Sequence, residues 1–437
     1  MCHITRYIWE RQLNLLKNGL RRVNKVTKKK IVFVINYFYP DLASTGQLMT
    51  ELCKDLQRDF DITVIAAQPG YAGEITNSNK RFEVDKLENI KIVRIRLPKV
   101  DKSSKFSRIR YILIYFLYAL IALLKEKNLN IIYTISQPPI LGGLIGTIGK
   151  MFKKSKHLYN IQDFNPEQAA AVNYSNKLIF GIARRIDKIN CHFADKVVVV
   201  GNDMVETLKN RFSHREKLPF YKVINNWTNE KEIVPLNKED TKINDFVMKH
   251  NLKGKFVVMY SGNIGLYYDL ENLIQVTKEF KDKDDLAFVF IGEGAVKQKL
   301  QDFVTRNNIS NVSFLPYQSK DFIKYSLNVA DLHLVVNQKG IKGVSVPSKI
   351  YGVMAAGKPI LGVLEKGSEA QRLIKESACG KVVEPQDYKN VVKTILYFYE
   401  MDRYKLTEIG LNGREYLENY LKKETSINKY REVLETL

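Results

Sequence analysis

Cysteine is scarce. Cys2, Cys53, Cys191 and Cys379 are the four in 437 residues, with no C-x-x-C pair among them. That excludes a disulfide framework and a zinc ribbon, and it points to reduced thiols in a cytoplasmic setting. The loop after the first strand-like run lacks G-x-G-x-x-G, so a nicotinamide or flavin cofactor has no support. Residues 1–30 hold no apolar run with a small-residue cleavage site, which excludes a secretory signal. Acid is the other shortage: Asp and Glu number 47 against 69 Lys and Arg, a net charge of +22. The excess is uneven. Residues 1–230 hold 38 basic and 20 acidic side chains, and residues 231–437 hold 31 and 27. A basic first half calls for an anionic partner: a membrane surface, a phosphate-rich substrate or nucleic acid.

What is present is a globular composition, 45% hydrophobic and 27% charged, over a length that predicts two domains. From residue 31, apolar runs alternate with helical patterns. IVFVINYFYP reads as a strand, a loop Pro40–Gly46 leads into a helix, and DITVIAAQPG reads as the next strand. This is the opening of a doubly wound sheet. The Ser44-Thr45-Gly46 turn is either an ordinary β-to-α turn or a ligand-facing loop at the strand's carboxyl end. Tyr111–Leu124 carries no charge over 14 residues, fewer than a membrane-crossing helix needs, and basic residues flank it. It predicts a helix over 108–127 that packs in the first domain and touches the membrane interface. Residues 1–30 read either as a basic amphipathic helix on anionic lipid or as a solvated extension. Asp163, ahead of Asn165-Pro166-Glu167, is either an acid/base carboxylate at a strand end or a turn residue. Asp203, with Glu206 three residues on, predicts a capping box.

Periodicity fades over 223–240, the expected linker. The alternation then restarts, with glycine turns after successive strands at Gly262 and Gly265, Gly292 and Gly294, and Gly343. All should line one sheet edge. The stretch GVSVPSKIYGVMAAGKPILGVL, Gly343–Leu364, predicts a short helix over 348–356 followed by a strand. Such a helix N-terminus at a strand end suits an anion. Lys349 in the first turn opposes the helix dipole, which favours an anion beside it.

The segments YFYPDLASTGQLMTEL, SQPPILGGLIG, NIQDFNPEQ, VINNW, YSGNIGLYYDLENLI, FIGEGAVKQKL, VSFLPY, VPSKIYGVMAAGKPIL and GSEAQRLIKESACGKVVEPQD occur in that order. Together they resemble the GT-B glycosyltransferases of family 4 (group 1), over roughly residues 31–430. The branch they look most like moves N-acetylated deoxysugars such as N-acetylfucosamine onto polyprenyl-diphosphate-linked sugars. The resemblance implies two Rossmann-like α/β domains facing across a cleft. The acceptor-side domain would be 31–222 and the nucleotide-sugar domain 241–402, with helices of 403–437 crossing back. It implies a retaining, metal-independent transferase on the cytoplasmic face of the cell membrane. It needs no cofactor beyond its nucleotide-sugar substrate, a UDP-sugar being the favoured donor. The partners implied are that donor, a polyprenyl-diphosphate-linked acceptor and the anionic membrane surface, with no nucleic acid.

The resemblance also implies roles. Gly262 and Asn263 would face the donor phosphates, and Glu293 and Gly294 would lie near the nucleotide. The backbone around Leu315 and Tyr317 would meet the base, and Ser348 and Lys349 the diphosphate. Asp163 would be the catalytic-side carboxylate, Glu167 an acceptor-side contact or alternative base, and Thr45 and Gly46 would border the acceptor. Two departures stand out. Gly352 and Val344 occupy the places where many relatives carry glutamates, one of which holds the ribose. Leu266, Tyr267 and Tyr268 stand where an Arg and a Lys are often found. A D-x-D, Asp282-Lys283-Asp284, reads as a solvated turn and not a metal site. The competing readings are a GT-B-shaped sugar-nucleotide epimerase, which would need no lipid, and a basic nucleic-acid-binding protein, for which no motif is present.

Overall fold

The computed structural model describes residues 28–41, 43–69, 80–98, 105–172 and 176–437. The expected N-terminal helix lies outside the described residues, apart from Lys28, Lys29 and Lys30.

The first domain runs β1 (Lys30–Val34), α1 (Ser44–Leu56), β2 (Asp61–Ala67), β3 (Phe82–Leu87), β4 (Ile90–Ile95), α2 (Lys105–Lys125), β5 (Ile131–Ile135), α3 (Leu141–Lys153), β6 (Lys156–Ile161), α4 (Glu167–Ala171), α5 (Lys177–Phe193), β7 (Lys196–Val199), α6 (Asp203–Lys209) and β8 (Tyr221–Val223). Its sheet has the order β3-β4-β2-β1-β5-β6-β7-β8. Every pairing is parallel except β3 with β4. β3 is an unpredicted edge strand. Its exposed, charged residues hide it from a search for apolar runs.

Alternate residues of β1 feed two cores, as strand geometry requires. Ile31, Phe33 and Ile35 meet α1 on one face, while Val32 and Val34 meet α2 and α3 on the other. The glycines of α3 bring that helix close. A Cβ at Gly146 would lie 2.0 Å from the His157 ring, and one at Gly149 would lie 2.5 Å from Leu123 of α2.

Residues 224–240 contain neither helix nor strand. The second domain runs α7 (Thr241–Lys249), β9 (Phe256–Ser261), α8 (Leu270–Leu273), β10 (Leu286–Ile291), α9 (Lys297–Arg306), β11 (Val312–Leu315), α10 (Ile323–Val329), β12 (Leu332–Val336), α11 (Lys349–Ala355), β13 (Ile360–Val363), α12 (Glu369–Ser377), β14 (Gly380–Val383), α13 (Tyr388–Tyr399) and α14 (Arg403–Tyr420). Its six strands have the order β11-β10-β9-β12-β13-β14, all parallel. The four central strands, β10, β9, β12 and β13, are almost wholly buried, which is why they read as continuous apolar runs.

α14 stays with the second domain, against α11 and α12. The last helix, α15 (Lys423–Glu435), returns to the first. Its Ile427, Tyr430, Val433 and Leu434 complete the core between α1 and the first sheet.

Candidate active site

The loops after β9, β10 and β11 stack on one another at the carboxyl edge of the second sheet. Gly262 has φ +150°, and Gly292, at φ +146°, leaves room for the Gly262 carbonyl, which a Cβ would meet at 1.9 Å. Gly294 lies equally close to the Ile264 carbonyl. Ile264 N–H donates to Glu293 O at 2.9 Å, and Gly292 N–H donates to Leu315 O at 2.9 Å. Leu315 is buried and its carbonyl is thereby occupied, whereas Tyr317 is 39% exposed at the loop's rim. The Glu293 side chain faces outward and pairs with Lys297 at 2.7 Å. Asn263 is exposed beside Gly265.

α11 begins at Lys349, with Ser348 at its N-cap. The Lys349 Nζ does not reach into solvent. It sits 3.8 Å from the Tyr260 ring centroid and 4.3 Å from that of Tyr268. Gly262 closes over it, since a Cβ there would lie 3.3 Å from Nζ. The amine is shielded and has no hydrogen-bond partner. Burial without a counter-charge pushes its pKa well below the usual lysine value. Tyrosine faces offer a cation partial compensation and leave its donors for an arriving anion.

The first domain supplies the facing wall. Asp163 lies two residues past β6 and forms an isolated antiparallel bridge with Ser345, while Phe164 N–H donates to Val344 O at 2.8 Å. Desolvation at this junction raises the Asp163 pKa, against hydrogen bonds from Ser345 and Gln168 that lower it. Burial likewise raises the Tyr268 pKa, and the Asp163 charge adds to it. Tyr268 therefore lies within electrostatic reach of Asp163 and against Lys349. Across the same gap, Ser44 Oγ is 3.4 Å from Ser348 Oγ. Thr45 follows, half-buried, in the first turn of α1. Gly46 is buried, and a Cβ there would lie 3.1 Å from Tyr37 O, a tight contact.

Glu167 is placed differently. Its carboxylate is taken by Arg211 at 2.6 Å and approached by Arg184 at 3.6 Å. Arg211 also pairs with Asp187 and stacks over Phe164. Asp163 and Glu167 are thus held by different partners. The capping box expected at Asp203 does not form either. Asn202 occupies the N-cap without a side-chain bond, and Asp203 Oδ2 accepts from Gly343 N–H across the domain boundary at 2.9 Å.

Several contributors escaped the sequence reading. The tyrosine cage is one, although the Tyr267-Tyr268 pair after the glycine turn was a visible signal. Glu369 is another. It accepts from Asn202 N–H and Asn225 Nδ2, both at 2.9 Å, and pairs with Arg372 at 2.7 Å, so it ties α12 to the first domain. Burial alone would raise its pKa, but Arg372 and these hydrogen bonds hold it low.

Residues 242–416 match the family model described as "Glycosyl transferases group 1". That span contains the stacked glycine loops, the tyrosine cage and Lys349. The second domain is a group 1 glycosyltransferase domain. The whole chain has the GT-B fold. It is similar over 94% of its length to sucrose-phosphate synthase from Thermosynechococcus elongatus, covering 100% of that chain, at 15% identity and TM-score 0.73. HepE of Anabaena, solved in complex with UDP and glucose, aligns at 14% identity and TM-score 0.71, covering 94% of this chain and 100% of that one. In sequence, the GT-B chain is 28% identical over 408 residues to WbjE of Pseudomonas aeruginosa, by name a glycosyltransferase, covering 92% of this chain and 96% of the relative. It is 22% identical over 418 residues to WcaI of Escherichia coli K12, named for glycosyl transfer in colanic acid biosynthesis, covering 92% and 98%.

Proposed function

We propose that this chain is a retaining, metal-independent glycosyltransferase of surface-polysaccharide assembly. It moves a sugar from a nucleotide sugar, with a UDP-sugar favoured, to a polyprenyl-diphosphate-linked saccharide. The observation that carries the reading is the shielded, unpartnered Lys349 Nζ under the Gly262 loop, with Asp163 on the facing domain. The names of WbjE and WcaI support the polysaccharide assignment, and the UDP and glucose bound by HepE support the donor class.

In this reading the anomeric carbon–phosphate oxygen bond breaks as the acceptor hydroxyl bonds to the same face of that carbon. The nucleoside diphosphate departs with charge growing on its outer phosphate. Lys349, protonated from solvent when the donor diphosphate binds, neutralises that charge and stabilises the transition state, while the acceptor hydroxyl's proton passes to the departing phosphate oxygen. Asp163, held by Ser345 and Gln168, faces the reacting centre and steadies its developing positive charge. Cytoplasmic placement on the inner face of the membrane belongs to the same proposal, as does an N-acetylated deoxyhexose as the sugar.

Purified enzyme incubated with UDP-, GDP- and dTDP-sugars and membranes carrying polyprenyl-diphosphate saccharides provides the test. A lipid-linked product from one donor is expected, with its anomeric configuration retained. No transfer from any donor would sink the proposal. Conversion of a sugar nucleotide without an acceptor would favour the epimerase instead.

A further inference from the structure

α2, α3 and α5 lie side by side on one face of the first sheet. These helices of 21, 13 and 17 residues carry eleven of the twenty-three large hydrophobic side chains exposed among the described residues. On α2, Phe106, Ile109, Leu113 and Leu117 form one stripe at helical spacing, each more than half exposed. The opposite side of α2, at Tyr115, Ala119 and Leu123, is what packs on the sheet.

α5 buries polar residues and exposes apolar ones. Two polar residues point inward: Asp187 accepts from Tyr159 OH at 2.7 Å and pairs with Arg211, and Asn190 accepts from Thr147 at 3.1 Å. Its apolar residues point out, with Leu178 at 72%, Ile179 at 64% and Ile182 at 54% exposure. A helix that buries its carboxylate and amide while exposing its aliphatic side chains needs a second apolar medium outside.

The charge on this layer says which medium. The three helices contain ten Lys and Arg and one acid, Asp187, which is buried and paired. Arg110, Lys177 and Arg185 are exposed around the apolar stripes. Basic side chains ringing exposed aliphatic ones on helices are the pattern that an anionic bilayer takes, apolar atoms entering the acyl boundary and charges resting on phosphates.

We propose that α2, α3 and α5 form a docking face for an anionic phospholipid bilayer. The aliphatic side chains of α2 and α5 enter the headgroup–acyl boundary, and their Lys and Arg rest on lipid phosphates. The N-termini of both helices lie toward the carboxyl edge of the sheet, so docking brings the bilayer beside the cleft. The inference deepens the lipid-acceptor reading and rests on it for its purpose.

The test is flotation of the full chain with phosphatidylcholine vesicles, with and without phosphatidylglycerol. Binding to the anionic vesicles alone is expected. Leu178→Ser/Ile179→Ser/Ile182→Ser and, separately, Lys177→Glu/Arg185→Glu should each lower the bound fraction about tenfold, with the thermal midpoint unchanged. All five positions are exposed, and both variants keep the basic residues 1–30. Undiminished binding by both variants overturns the proposal. So does a dimer in sedimentation velocity that binds no vesicles, because a second copy would then cover the face. Transfer to a short-chain acceptor is followed in parallel. Transfer without vesicle binding removes the docking face and leaves the function, and vesicle binding without transfer does the reverse.

Discussion

Lys349 is held in a state that costs the folded protein stability. Its shielded amine has a depressed pKa, while in the unfolded chain it would titrate near 10.4. Between those two values the unfolded chain holds more protons, so this residue makes stability rise with pH across that window. Lys349→Met, which keeps the length without the amine, should raise the unfolding free energy by about 1–3 kcal/mol and abolish donor binding. Calorimetry and donor titration on the same sample would decide this, and a destabilised variant would refute the cage as described. A diphosphate restores the charge, so donor binding should take up a proton. Affinity should then fall up to tenfold per pH unit above the free-state pKa, and titration in buffers of different ionisation enthalpy reads the proton directly. Asp163→Asn should leave donor affinity within twofold but lower turnover about 10²–10⁴-fold. At Gly352 a Cβ would meet only Leu327, at 3.5 Å. Gly352→Glu should therefore fold with an unchanged midpoint and tighten binding of a ribose-bearing donor, whereas a drop of several degrees would show that the glycine is structural.

At the scale of elements, the sequence was most readable where burial was most complete. The central strands of the second sheet stand out as apolar runs because helices cover both faces, and the glycine turns mark the edge where they end. α11 was visible with its flanking strand, to within a residue at each end. The region after Asp269 was less so. There, four α-helical residues give way to a 3-10 segment, Ile274–Phe280, and Asp269 bonds Asn272 and Tyr388 without capping the helix. The burial of Asp187 on α5 was illegible, because an amphipathic pattern does not say which face is buried until Arg211 and Tyr159 are in place. α15 gives the prediction at this scale. Tyr430 is wholly buried, and its hydroxyl accepts from Asn160 Nδ2. Tyr430→Ala should cost about 3–5 kcal/mol, read as a lower denaturation midpoint with most of the loss in the first domain.

Across the whole molecule, the cleft is closed by contacts between residues far apart in sequence: Asp163 with Ser345, Asp203 with Gly343, Glu369 with Asn202 and Asn225. Asp203 looked local in the sequence, as a cap, Asp163 was read as a turn residue or an acid/base carboxylate, and Glu369 carried no signal; only the docking of two domains reveals the second partner of each. Glu369→Ala removes the best connected of them. It should open the cleft, raising the radius of gyration in small-angle scattering and the donor KM together. An unchanged scattering profile would assign Glu369 to α12 alone. The return of α15 has a further consequence, for the order of synthesis. Four side chains of the first domain's core are made after the entire second domain has been translated. The emerging first domain must wait with an apolar seam open beside α1, exposed to chaperones and proteases, while its neighbour already has its full sequence. A ribosome that stalls before Ile427 releases a chain whose second domain can fold but whose first domain cannot close, so quality control can discard the half-made chain.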